Sequence, residues 1–394
     1  MWPYRPMTTV VLLAPMVFTF ALALDVYMPV LPELKTLLNT SEGMLQLTLS
    51  LFFFITGVGQ LFVGPISDQY GRQKVLLCSA VIFLVASLLC TTVNHIGALI
   101  LYRIIQAVGA CGLSVVSFAI VRDAFSGHES TKIYSFLNST ISISPILGPI
   151  IGVVLTTWFS WHSIFFFLTG LGGLTTLISL FLIKESLPLT KRLPMDLGIF
   201  QRYGIVMRSL TFWTYVMPAV AGISGFFTLF SMTPYVIQAL GQPKSQIAVC
   251  FGLAGGAFLV GSIINGLIVK QLGNFMTALI GVALMMSSGG ILLGIYLIWG
   301  MHLWGFFIPS TLATCGCAFA VGSGAGGAME PFGHITGAAA AMFGATQIGL
   351  SSMIGTLAAA LLPLDSALPL AFVLLMTTVI SSVLLFLWRL AEKK

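Results

Sequence analysis

The chain has 394 residues, 58% of them hydrophobic and 7% charged, with a formal net charge of +6 and a mean hydropathy of +1.04. Soluble domains carry about 25% charged residues, so this chain has too little charge to coat a water-facing surface, and most of its surface must meet lipid. The positive charge would point to nucleic acid in a soluble protein; here membrane topology accounts for it, and no nucleic-acid partner is expected.

A helix needs about 20 apolar residues to cross a bilayer, and irregular backbone cannot face lipid. Twelve runs qualify, at residues 8–32, 44–65, 75–94, 97–120, 133–157, 162–183, 211–237, 247–269, 275–298, 303–325, 335–361 and 367–389. Arg5 ahead of the first run and Ala21-Leu22-Ala23 inside it resemble a cleavable leader, but apolar character continues to Leu31, so the run reads as a first span. The expected fold is an all-α polytopic membrane protein with twelve transmembrane helices in two six-helix bundles, 1–183 and 211–394. A basic cytoplasmic linker at 184–210 joins them, carrying Lys184, Lys191, Arg192, Arg202 and Arg208 with Pro188 and Pro194.

Lysine and arginine set the orientation. With both termini inside, the inner segments hold Arg5, Arg72, Lys74, Arg122, Lys132, the five linker residues, Lys270, Arg389, Lys393 and Lys394, while the outer loops hold only Lys35 and Lys244. The remaining base, Arg103, falls within a span. The six cysteines, Cys78, Cys90, Cys111, Cys250, Cys315 and Cys317, lie in or beside apolar runs without redox or zinc spacing and read as reduced small hydrophobes.

Between the second and third runs, Gly64-Pro65-Ile66-Ser67-Asp68-Gln69-Tyr70-Gly71-Arg72-Gln73-Lys74 reads as a short charged turn. Gly64 and Gly71 permit tight backbone geometry there, and Asp68 is placed to pair with arginines or to cap a neighbouring helix. Such contacts would latch the cytoplasmic side; the bland reading is a solvated turn. Gly266 to Gly273 after the eighth run repeats the glycine separation of Gly64 to Gly71, with Lys270 in the place of Asp68. Two related halves imply a transporter whose site lies between them near mid-membrane.

Asp25 is the acid placed well inside a span, and Arg103 the base so placed. At about 1.5 Å per residue, both lie roughly 10 Å from the outer ends of their helices, so they can interact directly or through water. Intramembrane charge is costly and commonly functional, and a carboxylate beside an arginine can take up and release a proton during transport. The competing structural roles are bonding to a helix end broken near Pro29 and Pro32 for Asp25, and tying helices together for Arg103. In the fifth run, Pro145, Gly148, Pro149 and Gly152 read as a hinge or a gasket between the halves, or as a static kink. Among polar residues within spans, Gln106 ranks highest for the cavity, one turn from Arg103. Phe226, Phe227, Phe230, Met232 and Tyr235 suit a bulky apolar ligand and lipid equally. No nucleotide-binding glycine-lysine motif is present, and the five histidines stand singly, so neither ATP-driven transport nor a metal site is expected.

These segments resemble the major facilitator superfamily, and within it the drug:proton antiporters of the Bcr/CflA type. Leu24-Asp25-Val26-Tyr27-Met28-Pro29-Val30-Leu31-Pro32 is similar to that family's first-helix signature. Gly64 to Arg72 resembles the superfamily's loop motif, Arg103 to Gly109 with Val121-Arg122-Asp123 its fourth-helix motif, and Pro145 to Gly152 its antiporter motif. Met329-Glu330-Pro331-Phe332 and Gly337-Ala338-Ala339-Ala340 resemble its loop ten and helix eleven. The resemblance implies a two-bundle transporter exporting drugs or small amphipathic metabolites across a bacterial inner membrane by alternating access. It would be driven by protons and need no cofactor. It implies Asp25 as proton carrier with Arg103 as coupling partner, and a substrate cavity touched by Tyr27, Met28, Gln106, Phe226, Phe230 and Tyr235. It implies a cytoplasmic gate of Gly64, Asp68, Gly71, Arg72 and Arg122, in a monomer surrounded by membrane lipid. Gln69 and Gln73 stand where the loop motif is commonly basic, and Ser144 and Val153 where the antiporter motif often has glycine, which predicts a weaker latch and a stiffer hinge. A dedicated transporter of one metabolite, such as a siderophore or an amino acid derivative, is the alternative; a non-transporting membrane sensor is the alternative of another class.

Overall fold

The computed structural model describes residues 2–188, 192 and 198–392, and among them there are helices and turns but no strand. The chain divides into two compact units, Met1–Asp196 and Leu197–Lys394.

In the first unit the opening span is interrupted. Helix α1 (Pro6–Asp25) stops at Asp25, a short 3-10 turn covers Met28–Val30, and α2 (Leu31–Leu37) resumes. Pro29 and Pro32 have no N–H to give to the carbonyls of Asp25 and Met28, so the ladder fails there. Then follow α3 (Glu42–Tyr70), α4 (Arg72–Cys90), α5 (Ile96–Ala124), α6 (Gly127–Trp158) and α7 (His162–Leu177), the last ending in a π-helical turn at Ile178–Leu182. Helix α5 packs on α3 and α4, α6 on α1, and α7 on α4.

The expected linker is helical in part. Residues 189–191 and 193–197, with Lys191 and Pro194, lie outside the described residues, as do Lys393 and Lys394, while Gly198–Met207 is a helix, α8. The second unit continues with α9 (Leu210–Ala239). The helical run Ser245–Trp299 is 55 residues long and breaks at Gly273, whose φ of 76° belongs to the region that favours glycine. It therefore comprises α10 (245–272) and α11 (274–299), followed by α12 (Leu303–Met329), α13 (Thr336–Leu361) and α14 (Leu368–Glu392). Among the described residues 11 helical runs are long and apolar enough to cross a membrane, and the longest holds two spans, which gives the expected twelve.

The charged stretch at 64–74 is mostly helix rather than turn. Helix α3 runs on through Tyr70, α4 starts at Arg72, and Gly71 alone, at φ 99° and ψ 148°, makes the corner. Gly64 is ordinary helix with nothing close to its missing side chain, so its expected role in a tight turn does not hold.

Candidate functional site

Asp25 is the last residue of α1, at the break made by Pro29, and it is 7% exposed. One carboxylate oxygen, Oδ2, accepts a hydrogen bond from Ser144 Oγ on α6 at 2.6 Å. The glycines of the antiporter-like motif explain how α6 comes so near. A side chain at Gly148 would overlap the Asp25 Cβ, and one at Gly152 would overlap the Val26 carbonyl oxygen and crowd Pro29. The face carrying Ser144, Gly148 and Gly152 is thus spent inside the first unit, on the break in the first span. Pro145 and Pro149 lie within a continuous helix, so the expected hinge shows no break in this segment.

Arg103 is 0% exposed and lies on α5. Its Nη1 donates to the Ala23 carbonyl at 2.8 Å and to Gln106 Oε1 at 2.6 Å, and Gln106 Nε2 donates to Ser87 Oγ at 2.7 Å. The guanidinium also lies 4.8 Å from the Tyr27 ring centroid and 4.2 Å from that of Phe52, within cation–π range. Among the described residues no ion pair joins Asp25 to Arg103. Arg103 instead reaches the backbone of α1 at the Ala23 carbonyl, two residues before Asp25 in the chain.

Three residues expected on a cavity wall are buried. Gln106 is 0% exposed, with its oxygen bound to Arg103 and its nitrogen to Ser87. Tyr27 is 0% exposed, its hydroxyl 3.0 Å from Thr48 Oγ1 and its ring 5.7 Å from that of Phe165, and Met28 is 1% exposed. In the second unit, Phe226 stacks on Phe230 at 4.3 Å and Phe230 on Phe251 at 4.2 Å, which makes a three-ring column between α9 and α10. Phe230 and Tyr235 are 1% and 5% exposed. Their aromatic character serves packing in this arrangement.

The loop-motif residues do converge. Arg72 is 1% exposed and bonds to Asp68, to Ser67 and, through Nε at 2.7 Å, to Asp123 Oδ2. Glu185, just past α7, accepts the Arg72 backbone N–H at 2.9 Å and the Leu187 N–H at 3.0 Å, and Arg192 Nη2 at 3.2 Å on its other oxygen. A carboxylate on the first N–H of α4 satisfies an orphan donor and meets the positive end of the helix dipole. Arg122, expected in this cluster, is exposed and stays out of it; its neighbour Asp123 makes the contact. Sequence reasoning quoted Asp123 within the fourth-helix motif without giving it a contact, and passed over Glu185, Ser87 and the bonding role of Ser144. A signal existed for the acids, because a chain with only 11 Asp and Glu places these two just past the ends of the apolar runs 97–120 and 162–183.

The comparison with known families decides the assignment: the model of the Major Facilitator Superfamily matches residues 13–363. The chain belongs to the Major Facilitator Superfamily. It is accordingly a multi-pass membrane transporter of small molecules and ions, in a family of transporters rather than enzymes. Among similar superfamily proteins is a chloramphenicol resistance protein of Pseudomonas aeruginosa, 31% identical over 373 residues that cover 93% of this chain and 87% of that one. An uncharacterised MFS-type transporter, YdgK of Bacillus subtilis, is 31% identical over 93% of this chain and 91% of its own. The multidrug resistance protein MdtL of Salmonella heidelberg is 28% identical over 94% of this chain and 92% of its own.

Proposed function

We propose that this protein is a proton-coupled exporter of drugs or small amphipathic molecules, of the Bcr/CflA type, working by alternating access. The observation that carries the reading is the Asp25 carboxylate, buried at a helix break and free of any ion pair with Arg103. Intramembrane acids of this kind mark proton and substrate paths. Protonating Asp25 breaks no salt bridge, and the fixed charge of Arg103, tied to the same span through Ala23, stands ready to answer the change. In the cycle we envisage, Asp25 takes a proton from the outer side, and substrate arriving from the cytoplasm displaces it. The cluster of Asp68, Arg72, Asp123 and Glu185 is read as the cytoplasmic latch. The proton gradient is the energy source and no cofactor is required. The lysine and arginine bias supports cytoplasmic termini, the bacterial relatives support the inner membrane, and the names of two of them support drugs as substrates.

The test uses the full chain reconstituted into vesicles with an imposed pH gradient, acid inside, in the inside-out orientation. Chloramphenicol or ethidium should accumulate inside the wild-type vesicles, and Asp25→Asn should reduce gradient-driven accumulation at least about tenfold, a loss of about 1.4 kcal/mol or more of coupling. Accumulation that ignores the gradient sinks the reading. So does a substrate panel in which a single metabolite alone is carried.

A further inference from the structure

Serine and threonine side chains in helices commonly bond back to the carbonyl one turn earlier. On α6, Ser139, Thr140 and Ser142 do this, donating to the carbonyls of Ser135, Phe136 and Asn138 at 2.8, 3.0 and 3.0 Å. Ser144 does not. Its hydroxyl is 0% exposed, leaves its own helix and donates to Asp25 Oδ2 at 2.6 Å. The bare faces of Gly148 and Gly152, one and two turns further along, hold α6 close enough to the break in the first span for that reach.

We propose that Ser144 is a positioning residue for proton exchange at Asp25, and that α6 responds to the charge state of Asp25 through this hydrogen bond. The proposal rests on the reading of Asp25 as proton carrier. A hydroxyl suits the task because it has one donor and two acceptor pairs. It donates to the charged carboxylate and can turn to accept from the protonated one. Glycine, which the family pattern often has at this position, offers neither. Of the titratable groups nearest in the chain and on α5, Tyr27 bonds Thr48 and Arg103 bonds the Ala23 carbonyl rather than the carboxylate. Along α6 from 135 to 158 and along the sixth span from 163 to 182 the sequence holds no titratable residue, so Ser144 is the polar contact that α6 makes with Asp25.

The experiment is an infrared difference titration of the purified full chain in lipid, following the carboxyl band that appears as Asp25 protonates. The band is assigned by its loss in Asp25→Asn. In Ser144→Ala its frequency should change and its pH midpoint should move by about one unit, the size expected when a charge-assisted hydrogen bond is removed. Ser144→Thr, which keeps the hydroxyl, should restore both, and Ser144→Gly should behave as Ser144→Ala, which covers the case of one variant folding poorly. An Asp25 band with the same frequency and midpoint in Ser144→Ala and Ser144→Gly overturns the proposal and leaves the proton-carrier reading intact. A titrating band that persists unchanged in Asp25→Asn overturns the proton-carrier reading itself, and the proposal with it.

Discussion

Arg103 is a charge with no exposed surface, and the way its neighbours are spent decides what they can do. Leaving a buried charged donor without its acceptor costs more than a typical hydrogen bond contributes. Gln106 is one such acceptor, beside the Ala23 carbonyl, and its amide nitrogen donates to Ser87, so a substrate meets both of its polar atoms already bonded. Gln106→Leu should therefore lower stability by about 2 kcal/mol, with Ser87→Ala costing less because only a neutral amide loses a partner. Denaturation of the purified protein in mixed micelles measures both. A Gln106→Leu protein of unchanged stability but altered substrate range would return Gln106 to the cavity wall. The sequence made Asp25 and Arg103 legible because a charge within an apolar run stands out by itself. It did not make their partners legible, because Ser144 lies 119 positions from Asp25 and Ser87 lies 19 from Gln106. Serine is so common within spans that position alone carries no signal.

Among elements, the apolar runs located every span but misjudged where several helices end. Helix α3 continues from the expected 65 to Tyr70, α5 from 120 to Ala124 and α12 from 325 to Met329, while α6 begins at Gly127 rather than 133. Hydropathy marks where lipid stops, whereas a helix stops where its hydrogen bonds do, and polar turns extend past the apolar core on these ends. The same distinction separates glycines that look alike in sequence. Gly64 is mid-helix with open space around it, and Gly148 faces the Asp25 Cβ. Gly64→Ala should be neutral or stabilising by about 0.5–1 kcal/mol, since alanine has less backbone entropy to lose. Gly148→Ala should destabilise by about 1–3 kcal/mol through overpacking, and should push α6 off the break in the first span. Thermal unfolding of the two variants checks the pair, and equal melting temperatures would contradict the packing described for α6.

For the whole molecule, the two units treat the repeated glycine corner differently. Gly71 and Gly273 both adopt positive φ, 99° and 76°, so the repeat read from glycine spacing has a common backbone geometry behind it. At Gly71 the missing side chain makes room for the Glu185 carboxylate and the Arg192 guanidinium, and the adjoining Arg72 is buried among Asp68, Ser67 and Asp123. At Gly273 nothing lies within 4 Å of the missing side chain. Lys270 stands where the first unit has Asp68, and among the described residues no ion pair includes it. A buried ion-pair network loses most when one partner is removed, because the other charges stay behind, whereas a solvated charge can be removed at little cost. Arg72→Ala should accordingly destabilise the protein by about 3 kcal/mol, and Lys270→Ala should change stability by less than about 0.5 kcal/mol. Glu185→Gln should fall between them, since the amide oxygen still accepts the Arg72 N–H but no longer carries charge for Arg192 or for the start of α4. Unfolding of the three variants in matched micelles ranks them. If Lys270→Ala proved as costly as Arg72→Ala, the corner at Gly273 would have to hold a charge network of its own, and the asymmetry argued for the two units would fail.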